Sequence, residues 1–314
     1  MKLKKEYIIL AVLLVGLVVY LIFNANRSGD INYKLPKLTK IGSKEIDKIE
    51  ITRGGNTITL AFDKKTDTWR IMPQEYPADK TAMDNMLKQI DDLQLSELIS
   101  DKKIYDKYNL DQDNKINVLA MQGDKTLRNF DVGKVTDVSS HTFVKLADNP
   151  NVYTVKSNIR STFEKTADDM RDKVVLNVNK DSVQEIDITY KGENIVLKKK
   201  VLPKEKETDP EKTEWQIEGS DKKVKQTEID DIFNGAVNLV CDSYIPEDQK
   251  VDFTDPYFTI VFKGDKEYRL SAMEQKQDNM HPAISSESAY QFNLISWKMN
   301  RLMKTTDDLV EKEK

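Results

Sequence analysis

The residues best equipped for chemistry are few. The 314-residue chain carries two histidines, one cysteine and three tryptophans. His141 follows Ser139 and Ser140, and His281 precedes Ser285, Ser286 and Ser288, so a serine nucleophile with a histidine base can be drawn at either place. Ser220-Asp-Lys-Lys223 has the Ser-x-x-Lys spacing in which a lysine activates serine for acyl transfer. Asp111-Gln-Asp113-Asn-Lys115 opens like a calcium loop, in which alternate carboxylates face one cation.

Each of these meets a plainer reading. Ser220 lacks Ser-Asp-Asn and Lys-Thr-Gly partners and sits in a polar turn. The calcium pattern fails at Lys115, at Ile116 in place of glycine, and at the missing glutamate of position twelve, which leaves a turn. Two histidines and one cysteine scattered along the chain do not make a zinc set. No Gly-x-Ser-x-Gly elbow and no glycine-rich phosphate loop occurs, so the chain is not itself an ATPase. Cys241 ends the apolar run Ala236-Val-Asn-Leu-Val-Cys241 and reads as a small buried hydrophobe; alone, it forms no internal disulfide. Trp69 and Trp215 lie in apolar strand contexts that favour core packing, whereas Trp297 suits either core or contact surface. The sequence thus assigns no catalytic, cofactor-binding or metal residue.

The elements that would position any site begin with Tyr7–Phe23, which reads YIILAVLLVGLVVYLIF without a charge. As a helix it would be roughly 26 Å long, at the short end of a membrane span. Phe23-Asn-Ala-Asn-Arg27 offers a poor cleavage site, so the segment reads as an uncleaved anchor. Lys2, Lys4 and Lys5 before it, against Arg27 and Asp30 after it, place the N-terminus in the cytoplasm and the bulk outside. A net charge of -4, from 49 basic and 53 acidic residues, argues against nucleic acid as partner.

Beyond the anchor the chain lies over itself at an offset of about 140 residues. Ile46–Thr52 matches Val183–Thr189, Trp69-Arg-Ile71 matches Trp215-Gln-Ile217, Gly123-Asp-Lys125 matches Gly264-Asp-Lys266, His141 matches His281, and Val152-Tyr153 matches Ala289-Tyr290. A histidine kept at one position of two copies reads as a strand-start residue bonding to a turn rather than as a base. In the first copy Ile46–Phe62 predicts a hairpin turning at Gly54-Gly55, and Asp79 caps a helix with Met83, Met86, Leu87, Ile90 and Leu93 on one face. In the second, Thr227 is the expected cap, and Ile229, Ile232, Phe233, Ala236, Val237 and Val240 the expected buried stripe. Further strands are expected at 116–121, 128–132, 257–262 and 267–270, and closing helices near Ser157 and Ser296.

Trp69-Arg-Ile, Tyr76-Pro-Ala-Asp79, Tyr108-Asn-Leu-Asp111, Asp131-Val-Gly133, His141-Thr-Phe-Val144, Val152-Tyr-Thr-Val155 and Met170-Arg-Asp-Lys173 together resemble domain-of-unknown-function family 4340 over about residues 46–180. The second copy has Asp255-Pro256 but no counterpart of Arg171-Asp172-Lys173. The resemblance implies a bacterial protein held by one N-terminal helix, encoded beside ABC-type transporter subunits and gliding-motility-type auxiliary proteins, with no established catalytic residues.

The expected architecture is α+β: a single transmembrane helix, then two tandem related domains, each of antiparallel strands packed on one long helix. Its segments are a cytoplasmic stub and anchor at 1–26, a linker at 27–45, repeats at 46–178 and 179–306, a charged hairpin extension at 198–214, and a frayed tail at 307–314. The expected function is that of a non-catalytic, membrane-anchored extracytoplasmic binding or scaffolding protein, accessory to an ABC-transporter-type complex. Its expected partners are the membrane, through residues 7–23, and transporter subunits; no cofactor is expected. The alternative is a cell-envelope enzyme or ligand sensor with a site between the repeats.

Overall fold

Alternating side chains build the first ladder. In β1 (Lys48–Arg53) Ile49 and Ile51 point inward, and the two-residue turn Gly54-Gly55, with φ of 54° and 79°, returns the chain into β2 (Asn56–Asp63). Positive φ at both turn positions matches the twist of a two-residue hairpin and costs glycine little. In this computed structural model residues 13–20, 35–137, 140–203, 212–275 and 278–311 are described. The chain divides into two units, Met1–Ala167 and Asp168–Lys314.

The first unit continues with β3 (Thr68–Met72), β4 (Tyr76–Pro77), α1 (Lys80–Asp91), β5 (Leu95–Ser100), β6 (Ile116–Gln122), β7 (Lys125–Val135), β8 (Thr142–Leu146), β9 (Val152–Val155) and α2 (Arg160–Phe163). Its nine strands form one antiparallel sheet in the order β4-β3-β2-β1-β6-β7-β8-β9-β5. The Asp79 carboxylate caps α1 by accepting the Ala82 N–H at 2.6 Å. Met83, Met86, Leu87 and Ile90 form the buried face; burying each such side chain contributes roughly 1.5–3 kcal/mol.

The second unit holds β10 (Val174–Leu176), β11 (Glu185–Tyr190), β12 (Glu193–Val201), β13 (Thr213–Ile217), α3 (Gln226–Ala236), β14 (Leu239–Val240), β15 (Ser243–Tyr244), β16 (Phe258–Lys263), β17 (Glu267–Ala272), β18 (Met280–Ser285), β19 (Phe292–Ile295), α4 (Ser296–Leu302) and α5 (Thr306–Leu309). Eight strands pair in the order β13-β12-β11-β16-β17-β18-β19-β15, and β10 pairs with β14. On α3, Phe233 stacks 5.9 Å from both Trp215 and Phe262.

From β3 to β5 and from β13 to β15 the two strand orders correspond position by position. The ladders refine which residues correspond. Val144 pairs with Tyr153, and Ala283 with Phe292, so Phe292 is the counterpart of Tyr153, and Tyr290 lies outside the strand. By the same register Thr142 corresponds to His281, and His141 falls one residue earlier, so the two histidines do not share a position.

The expected fold class is overturned. Antiparallel sheet dominates both units, in three sheets, and the longest helices of the labelled elements, α1 and α3, have only 12 and 11 residues. The excess of strand comes from short elements that carry no alternation, such as β9, whose four residues are all buried. The expected membrane anchor and the localisation derived from it are also overturned: no helix among the described residues is long and apolar enough to cross a membrane. Of Tyr7–Phe23, residues 13–20 are helical, and the rest lies outside the described residues, as do Lys2, Lys4, Lys5, Arg27 and Asp30.

Smaller expectations shift too. Residues 35–45, part of the expected linker, are tied down: Ile41 and Gly42 N–H donate to Asp91 Oδ1, and the Arg128 guanidinium donates to the Thr39 carbonyl. The residue preceding α3 is Lys225, which makes no side-chain cap, and Thr227 lies inside the helix. Part of the expected tail is docked, since Leu309 and Val310 are buried and Val310 bridges Val224. The arms of the 198–214 extension belong to β12 and β13, and 204–211 lie outside the described residues.

Candidate functional site

Among the described residues the sequence candidates are drawn into separate structural contacts. His281 is buried with Nδ1 3.0 Å from the Met273 carbonyl oxygen, while Ser285 Oγ donates to the Val175 carbonyl. Ser139 lies outside the described residues. Lys223 is paired with Glu311 at 3.2 Å, and Ser220 Oγ accepts the Lys222 N–H. Asp111 Oδ1 accepts the N–H groups of Asp113 and Asn114, a turn held by its own side chain. Burial pushes the Cys241 thiol up to about 11, which keeps it un-ionised and un-nucleophilic at neutral pH. Among the described residues no group of three or more His, Cys, Asp or Glu could hold a metal ion. Trp69 and Trp215 are core residues.

The motif residues instead meet in two structural clusters. In the first unit Asp131, on β7, is buried and receives Lys145 at 2.9 Å, Lys115 at 3.3 Å and the Asn117 amide at 2.8 Å. Two residues on, Gly133 lets the 105–110 segment approach: a Cβ there would stand 2.2 Å from the Tyr108 carbonyl oxygen. Tyr108 stacks 4.9 Å from Phe143. The Tyr108-Asn-Leu, Asp131-Val-Gly133 and His141-Thr-Phe-Val motifs are therefore one packing unit.

In the second unit the Arg171 guanidinium lies over the Tyr244 ring at 3.5 Å and near Tyr290 at 5.0 Å, so Met170-Arg-Asp-Lys173 folds with the second unit. This sets the division between the units at Ala167/Asp168, ahead of residue 178.

The exposed feature of the second unit is apolar. Trp297 is 57% exposed on the first turn of α4, and Lys298 and Arg301 lie 5.6 and 5.9 Å from its ring centroid. With Val237 and Val240 it borders a cleft of about 200 Å³, and Val240 pairs across the ladder with exposed Val174. The helical stripe in the sequence predicts Val237 and Val240 inside. They face out because α3 ends at Ala236 and Asn238 takes φ of 51°, which breaks the helical phase before either valine can join the stripe. The usable signal was that asparagine, a residue that adopts left-handed backbone more readily than most.

These features define the class: a tandem antiparallel β-sheet protein with an exposed apolar patch on its second unit. The family model described as Domain of unknown function (DUF4340) matches residues 69–257, more than half of the chain, and the protein belongs to that family. The match begins in β3 and ends just before β16, further toward the C-terminus than the motifs alone suggest. No curated protein and no solved structure matches the chain significantly.

Proposed function

We propose that the protein is a non-catalytic binding or scaffolding module that docks another protein through the Trp297 patch of its second unit. The observation that carries this reading is the exposure of Trp297 beside Val237, Val240 and Val174. An exposed tryptophan costs free energy in water, and an aromatic anchor with apolar neighbours and flanking cations is the composition of an interface hot spot. The family resemblance points to transporter subunits as the partner class.

A photo-cross-linking residue at position 297, expressed in the native host, tests both halves. Cross-links to permease or ATPase subunits support the scaffold. A chain recovered without cross-links, together with unchanged host transport for Trp297→Ala, overturns it.

A further inference from the structure

The two large sheets are finished differently beside their tryptophan strands. In the first unit β4 covers β3: Arg70 pairs with Pro77, Ile71 with Tyr76, and the Ala78 N–H donates to the Trp69 carbonyl at 2.9 Å. Pro77 in that last strand has no N–H to offer, which discourages a further strand. In the second unit β13 is itself the last strand. The chain leaves it through a Ser220 N–H bond to the Ile217 carbonyl, and Lys223 and Val224 pair with Glu311 and Val310 instead. Ile71, beneath β4, is 1% exposed, whereas its counterpart Ile217 is 8% exposed.

The ladder fixes which backbone groups face the bare edge. Glu218 N–H donates to the Val196 carbonyl and Leu202 N–H to the Lys212 carbonyl, both at 2.8 Å, and the register between them runs unbroken. In an antiparallel pair such bonds alternate along the strand. Glu214 and Gln216 therefore bond to β12, while the N–H and C=O groups of Thr213, Trp215 and Ile217 face outward. No strand among the described residues meets them. β13 carries no proline, no bulge and no lysine, the devices that keep edges from pairing.

We propose that β13 pairs antiparallel with β13 of a second copy of this chain, joining two eight-stranded sheets into one. The pairing centres on Trp215, the middle outward-facing residue. The two Trp215 residues then exchange N–H to carbonyl bonds, and each Ile217 N–H meets a Thr213 carbonyl. This register keeps the solvent face on one side across the junction. By twofold symmetry it also sets Glu214 of each copy opposite Gln216 of the other. Gln216 gives one amide N–H to its own Glu214 at 2.7 Å, and its second N–H reaches the Glu214 carboxylate of the second copy. Exposed Lys200, opposite Glu214 on β12, completes a row in which no two like charges are neighbours. The edge is complementary to itself, which selects a second copy over an unrelated strand.

The test is sedimentation of the full chain over a concentration series, with a mild detergent shielding the exposed apolar residues 13–20. A reversible dimer is expected. Gln216→Glu sets carboxylates opposite one another and should weaken the dimer about fivefold or more. Adding Glu214→Gln should restore it, because the complementary pair is then exchanged. Trp297→Ala should leave the dimer intact, which separates this edge from the Trp297 patch. Amide exchange reads the strand itself: the Trp215 and Ile217 N–H groups should be protected in the dimer and exchange quickly on dilution, while those of Glu214 and Gln216 stay protected throughout. A chain that is monomeric at every concentration, a double variant no tighter than Gln216→Glu alone, loss of the dimer in Trp297→Ala, or Trp215 protection that ignores dilution would each overturn the proposal.

Discussion

Arg171 presents its guanidinium 3.5 Å from the ring centroid of Tyr244, a residue more than seventy positions later in the chain. Tyr290 closes the other approach at 5.0 Å, and the two tyrosine rings meet edge-on at 5.8 Å. Burial pushes the Tyr244 phenol up, so the ring stays neutral across the ordinary pH range. The cage fastens the start of the second unit to β15, at the edge of its sheet.

Removing that cation should loosen the edge strand. A desolvated cation–π contact is worth about 2 kcal/mol, and Arg171→Ala also removes the buried stem. Amide exchange of β15 and β19 should then accelerate, with Arg171→Lys intermediate because an ammonium lacks the planar face. Unchanged exchange in Arg171→Ala would show that the stacking is incidental.

Gly133→Ala addresses the first unit in the same way. The added methyl would sit 2.2 Å from the Tyr108 carbonyl oxygen and 3.0 Å from Leu110 Cγ, so the 105–110 segment must shift. Overpacking of this kind costs about 1–3 kcal/mol. Urea unfolding followed at Trp69, the only tryptophan of this unit, should show a lowered midpoint. An unshifted midpoint would mean that the contact is soft.

These two clusters mark where the sequence was legible. Periodicity located α1, the β1–β2 hairpin and the Trp69 and Trp215 strands, because each buries one face and repeats at its own period. It could not locate β14 or β15, two residues each, whose pairing is decided by partners far along the chain. It also misplaced the histidines by one residue, because register is set by the ladder and not by matching letters. The Trp297 patch is half visible in the sequence: Trp297 suits either core or surface, but helical periodicity puts its valine neighbours inside, and that periodicity stops at Ala236.

The Asp131 cluster has an internal control. Asn117 pairs with Asp131 across β6 and β7, and Thr259 pairs with Ser271 across β16 and β17, where the two hydroxyls stand 3.0 Å apart. Lys145 pairs with Asp131, as Ile284 does with Ser271. Asp131→Ser alone should cost about 3 kcal/mol, because it leaves Lys145 without its buried counter-charge. Adding Lys145→Ile should recover about 1 kcal/mol or more, a non-additivity expected of residues in contact. Additive losses in a double-mutant cycle would show that the charges do not depend on one another.

The C-terminal segment should respond to acid. Glu193 accepts the Thr306 N–H at 2.9 Å and the Thr306 hydroxyl at 2.7 Å, and Asp308 does the same for Thr305 at 2.9 and 2.7 Å. The Thr306 hydroxyl and N–H hold the Glu193 carboxyl below the usual glutamate range, and the Thr305 N–H and hydroxyl hold Asp308 below that of aspartate. A carboxyl depressed by folding adds stability that is complete above its unfolded value and is lost as pH falls through its folded value. Docking of α5, with Leu309 and the Val310–Val224 bridge behind it, should therefore be pH-independent near neutrality and weaken in acid. Amide exchange at Thr305, Thr306 and Val310, corrected for intrinsic rates, should accelerate on acidification in the native chain. Glu193→Gln should exchange faster at neutral pH and lose much of the acid response. A native segment with protection that does not change on acidification would show that Leu309 burial alone holds it.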